Sequence, residues 1–116
     1  MSYADGFVLA VRKDKVEEYR AMAELGKTVW REHGALDYRE FIADDVKTGE
    51  VTSFPQAVKL EADEVVVFSF ITYRSRAHRD EVNAKVMADP RMKGDPARMP
   101  FDMQRMIFGG FTALVE

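Results

Sequence analysis

Residues 64–73, EVVVFSFITY, carry the strongest strand signal in the chain, and they are apolar on both sides. Successive side chains of an extended segment point to opposite faces, so Val65, Val67 and Ile71 project one way while Val66, Phe68 and Phe70 project the other. The last apolar run behaves alike, with Ile107, Phe111 and Val115 on one side and Met106, Phe108 and Leu114 on the other. An antiparallel sheet with one solvated side carries polar residues there. A sheet built from these strands needs a cover on each face, and the rest of the chain has to supply it or a second molecule does.

The remaining elements follow from periodicity. Residues 3–12 (YADGFVLAVR) read as a first strand. From Asp14 the period changes: Val16, Tyr19, Ala23, Gly26, Trp30 and His33 recur at steps of three and four, the stripe of an amphipathic helix over about 14–33. Asp14 and Glu17 have the spacing of a capping box, Lys27 and Arg31 suit the negative end of the helix dipole, and Gly34 can adopt the left-handed stop conformation. Residues 35–43 (ALDYREFIA) alternate as a second strand. The long connection from Asp44 to Asp63 is expected to hold a helical turn around 54–58 or to serve as a flap. Ser75 is placed to cap a helix over 76–88, which Asp89-Pro90 ends. Residues 89–104, with Pro90, Pro96 and Pro100, are expected to be mostly irregular, and residues 105–115 to form the last strand.

Strand-helix-strand-strand-helix-strand is the ferredoxin-like βαββαβ order, an α+β fold with a four-stranded antiparallel sheet and two helices on one face. With 116 residues the chain has room for one such domain. Two helices cover one face, and the other would exceed the few hundred Å2 of apolar patch a monomer usually exposes. The expected solution is a homodimer that places the two helix-free faces together as a dimeric α/β barrel.

Composition narrows the function classes. A formal charge of -3 offers no broad positive field for a nucleic acid, and the basic-glycine-aromatic signature of RNA-recognition sheets is absent. Without cysteine there is no disulfide, thiolate metal site or thiol nucleophile, which suits a cytoplasmic location. No leader-like segment or membrane span is legible. The two histidines lie on different helices outside any metal-binding pattern, and Ser53, Ser69 and Ser75 lie in no nucleophile elbow. No cofactor or metal is expected.

The stretches WREHGALDYREF (30–41), TSFPQAVKL (52–60), SRAHRDEVNAKVMADPRM (75–92) and MPFDMQRMIFGGF (99–111) resemble the YbaA-like family of small bacterial proteins of unknown function, across nearly the whole chain. The resemblance implies the dimeric α/β-barrel superfamily, whose other branches include cofactor-free monooxygenases, ring isomerases, haem-degrading or haem-binding proteins and stress-responsive proteins. It brings no catalytic residues with it.

Candidate residues are therefore polar or aromatic groups on apolar elements. His33, near the end of the first helix, and Arg39, on the second strand, are the expected catalytic pair; an imidazole stabilised by the helix dipole and a solvated edge charge are the plainer readings. Tyr19, Met22, Trp30, Phe70 and His78 are expected to contact a ligand, with core packing as the alternative for Trp30 and a surface position for His78. Asp5 is expected to pair with Arg39 or Arg105. The Gly109-Gly110 pair marks a bulge or a close backbone approach. These residues point to a homodimer that binds a small hydrophobic or aromatic molecule, or acts on it without a cofactor. The alternative is a non-catalytic dimeric stress or partner-binding protein that uses residues 44–63 and 89–104, with Met92, Met99, Met103 and Met106 as an adaptable surface.

Overall fold

The chain forms strands Tyr3–Arg12 (β1), Asp37–Ile42 (β2), Glu64–Tyr73 (β3) and Ile107–Thr112 (β4), which lie in the order β2-β3-β1-β4 with every pairing antiparallel. Helices Val16–Glu32 (α1), Phe54–Ala57 (α2) and Arg76–Ala88 (α3) complete the α+β architecture, with four 3-10 turns between elements. This computed structural model describes residues 1–116, the side chain of Pro96 excepted.

Most boundaries lie where periodicity places them, and the departures have local causes. The capping box does not form: a 3-10 turn, Lys13–Lys15, leads into α1, Lys15 makes no side-chain cap, and Asp14 binds Arg12 at 2.8 Å. Gly34 stops α1 at φ 115°. The second strand loses its first residues because the Ala35 N–H donates to the Trp30 carbonyl at 3.0 Å, closing the helix end. Residues 103–105 are a 3-10 turn, so the last strand starts at Ile107, and Leu114 and Val115 lie beyond it, exposed. Ser75 caps α3 by accepting from the His78 N–H at 3.1 Å.

Register assigns the faces. Tyr3 pairs with Tyr73, Asp5 with Ile71, Phe7 with Ser69 and Leu9 with Val67, and residues directly opposite share a face. That face lies under α1 and α3, where Val29, Tyr73, Val82 and Val86 are fully or almost fully buried. Leu9, Val11, Tyr19 and Val67 continue the core toward the start of α1.

The opposite face is apolar, as the strand patterns require, and the chain roofs only one end of it. Val58, after α2, is fully buried against Val8, Ala10 and Val66. Ser53 holds this roof by accepting from the Gln56 N–H. Beyond the roof, Phe41 (47% exposed), Phe68 (42%), Phe111 (65%) and Ile107 (46%) face outward. Phe68 sits among Phe41, Phe54 and Phe70, its ring centroid 6.2 to 6.5 Å from theirs. The molecule is 21 Å across its thinnest direction, the depth of one helix layer on one sheet layer at roughly 10 Å each.

Buried charges pair differently from the sequence expectation. Asp5 accepts from Arg79 of α3 at 2.5 Å, because the odd positions of β1 face the helices while Arg39 lies on the other side of the sheet. Arg105 instead clamps Glu64, at 2.6 and 2.7 Å. Gly109 and Gly110 keep the regular ladder with Gly6 and Asp5 and form no bulge. The Tyr3 ring presses so closely on Gly110 that a Cβ there would stand 2.1 Å from its hydroxyl oxygen.

Candidate functional site

β2 is an edge strand, and period two turns Tyr38, Glu40 and Ile42 toward the helix layer, opposite Ile71, Ser69 and Val67 of β3. α1 passes closely over Tyr38 at Gly26. Gly26 is buried in mid-helix, where glycine costs about 1 kcal/mol relative to alanine, and a Cβ there would stand 2.8 Å from the Tyr38 hydroxyl oxygen. The glycine thus makes room for the phenol. Toward the start of α1 the two elements diverge and leave a cleft of about 370 Å3 between Ala23 and Val16 on the helix and Glu40 and Ile42 on the strand, with Val67 below.

The polar centre of this cleft is one carboxylate held by two phenols. Glu40 Oε1 accepts from the Tyr19 hydroxyl and Oε2 from the Tyr38 hydroxyl, the latter at 2.7 Å. Burial, and next to it the charge of Glu40, pushes both tyrosines well above the usual phenol range. The two hydroxyls therefore remain protonated donors at any physiological pH. Arg20, Glu24, Lys27 and Arg39 stand around the cleft, and Arg20 and Arg39 already bind carboxylates, Glu17 and Asp37, each at 3.1 Å.

The structure scatters the residues singled out in the sequence. Tyr19 and Arg39 border the cleft, although Arg39 belongs to the helix-free side of β2 and its side chain is exposed. Phe70 is also on the helix-free side, stacked on Phe41 at 6.1 Å. Met22 packs against the Leu9 cluster. Trp30 donates from Nε1 to Asn83 at 3.2 Å, and Tyr73 donates to the same oxygen at 3.3 Å, so the indole ties α1 to α3. His78 is buried rather than superficial, and its Nδ1 accepts from the Arg74 N–H at 3.0 Å.

His33 lies at the far end of α1 from the cleft, on the other side of the sheet from Arg39, so the two do not converge. Its Nε2–H donates to Asp89 at 2.8 Å, and Arg91 binds both Asp89, at 2.7 Å, and Glu32, at 2.6 Å. Hydrogen bonds first from Arg91 and then from His33 hold the Asp89 carboxyl well below the usual carboxylate range. This cluster joins the ends of α1 and α3. Of the four methionines considered as a contact surface, Met92 and Met106 pack against the core and Met103 is exposed.

Glu40 and Tyr38 did not stand out in the sequence. The legible signal was a carboxylate on the apolar face of an alternating strand: Tyr38, Glu40 and Ile42 share a side, and the charge in the middle needs partners. Those partners come from β2 itself and from Tyr19, 21 residues earlier. Among the described residues no three His, Asp or Glu side chains gather as a metal site, and no helix is long and apolar enough to cross a membrane.

Residues 2–103 match the family described as "Protein of unknown function (DUF1428)". The chain is 50% identical to "Uncharacterized protein YbaA" of Escherichia coli K12 over 116 residues, covering 100% of this chain and 99% of that one, and the Shigella flexneri protein of the same name matches equally. Among solved structures, the de novo designed protein Foldit4 aligns over 97% of this chain and 99% of its own, with a TM-score of 0.45 and 8% identity.

Proposed function

The chain belongs to the DUF1428 family of proteins of unknown function, and on that premise we propose that it is a homodimeric small-molecule-binding protein whose ligand occupies the cleft between α1 and β2. The observation that carries the binding reading is the cleft itself: about 370 Å3, apolar walls, and one fixed polar group, Glu40, at its centre. Small-molecule sites are typically concave, largely apolar and supplied with a few placed polar groups. Tyr19 contributes to the wall and Arg39 to the rim, while Trp30, His33 and His78 hold the frame.

The bare part of the helix-free face supports the dimer. The order β2-β3-β1-β4 supports reading the sheet as ferredoxin-like, and two such faces brought together about a two-fold axis would make a dimeric α/β barrel with its helices outside. The roof over Val58 confines the contact to the region around Phe41, Phe68, Phe111 and Ile107. Neither part of the reading calls on a cofactor, a nucleic acid or a membrane, and both fit a cytoplasmic protein.

The test is a thermal-shift and protein-observed NMR screen of small aromatic compounds. Binders shift the amides of Ala23, Tyr38 and Glu40 in the parent protein. They fail with Ala23→Phe, whose ring fills the cleft while the circular dichroism spectrum stays that of the parent. Binders that map elsewhere, or that survive the filled cleft, would remove the site.

A further inference from the structure

The hydrogen-bonding inventory at the floor of the cleft is one-sided. A carboxylate has about four lone-pair sites and no donor, and two of those of Glu40 are taken by Tyr19 and Tyr38. Each of those phenols has spent its single O–H on Glu40, which leaves only oxygen lone pairs facing a ligand. Every remaining side-chain group at the floor is thus an acceptor, gathered around one formal negative charge. An anionic head would meet repulsion and no donor. A neutral hydroxyl would gain hydrogen bonds but leave the charge uncompensated.

We infer that the cleft selects a ligand with a cationic, hydrogen-bond-donating head, a protonated amine or amidine carried on an apolar body. The inference rests on the reading of the cleft as a small-molecule site and names its ligand class. The cations around the mouth do not reverse the preference. Arg20 and Arg39 are engaged by Glu17 and Asp37, and Lys27 stands on the solvated rim with Glu24 as a fellow rim charge, where water and salt screen both. The apolar walls accept a body the size of one aromatic ring and a short linker.

Three probes of nearly equal shape separate the alternatives: 2-phenylethylamine, 2-phenylethanol and 3-phenylpropanoate, each titrated into the isotope-labelled intact protein at pH 7 and low salt. The amine is expected to shift the Ala23, Tyr38 and Glu40 amides saturably, the alcohol to bind at least tenfold more weakly, and the carboxylate to leave these signals in place at the same concentrations. In Glu40→Gln the amine-to-alcohol ratio is expected to fall to about one. A carboxylate that binds as well as the amine, or a ratio that Glu40→Gln leaves intact, overturns the inference and spares the cleft as a binding site. If no probe moves the cleft amides at all, the site fails together with its ligand class. Because the ratio among the three probes is read on the parent protein, the result stands even where the variant does not fold.

Discussion

Replacing Phe68 by Asp places a carboxylate at the centre of the bare sheet face. In a single subunit the side chain is 42% exposed, so the charge reaches water and the fold loses little. In the proposed dimer it is enclosed twice, once from each copy. Phe41, Phe68, Phe111 and Ile107 leave between 42% and 65% of their surface outside, roughly 400 Å2 of apolar side chain per subunit for groups of ~200 Å2 each. Burying about 800 Å2 in a pair yields about 20 kcal/mol at 25 cal/mol per Å2. Association costs roughly 4 to 15 kcal/mol, which leaves about 10 kcal/mol at mid-range, a sub-micromolar dimer. Two buried unpaired carboxylates at about 3 kcal/mol each take away roughly 6 kcal/mol and weaken the dimer about 10^4-fold. Sedimentation velocity between 1 and 100 μM reads this directly, with the parent sedimenting as a dimer and Phe68→Asp as a folded monomer. A parent protein that is monomeric at 100 μM refutes the reasoning, and so does a variant that dimerises as well as the parent.

Three further outcomes follow from the packing. Gly26→Ala gains about 1 kcal/mol of helix propensity but drives a methyl into the Tyr38 hydroxyl; its melting temperature is expected to stay near the parent's while compounds in the cleft bind more weakly, as calorimetric titration would show. Arg79→Met leaves Asp5 buried without its cation, at a cost of about 3 kcal/mol near neutral pH. Burial already raises the Asp5 carboxyl above its ordinary value of 3.8, so protonated Asp5 favours the fold. The stability it contributes is present in acid and lost as pH rises through the raised value, and the penalty in Arg79→Met is expected to shrink as urea melts are taken toward pH 4.

Glu64 has the opposite sign. The hydrogen bonds from Arg105 hold its carboxyl below the ordinary 4.5, so its contribution is present above that pH and lost as pH falls through the lowered value. Arg105→Gln is expected to be less stable at pH 7 and to show a flatter decline in denaturant midpoint below pH 4.5, whereas an unchanged acid profile would assign the linkage to other groups.

Secondary structure was legible wherever one periodicity dominated. The run 64–73 forms β3 from end to end, and Ser75 with Asp89-Pro90 bounds α3 at both ends, because the signals are local: alternation, a cap and a proline. The capping box at Asp14 failed because a nearby arginine took its carboxylate. Pairings were the weaker part. Asp5 was recognisable as a buried charge in search of a partner, but Arg79 lies 74 residues away and meets it only through the packing of α3 on β1.

What the sequence determined by itself is the double-sided greasiness of β3 and β4, since alternation in an extended chain is fixed by covalent geometry, and with it the need for covers on both sides of the sheet. Where the chain's own roof ends on one face, and which polar groups meet between α1 and β2 on the other, depended on packing between elements. Glu40 becomes the polar centre of the proposed site because a cleft opens between α1 and β2 beside it, and because Tyr19 and Tyr38 approach from two elements to spend their hydroxyls on it. Distances between elements depend on the packed core as a whole, and no stretch of residues encodes them alone.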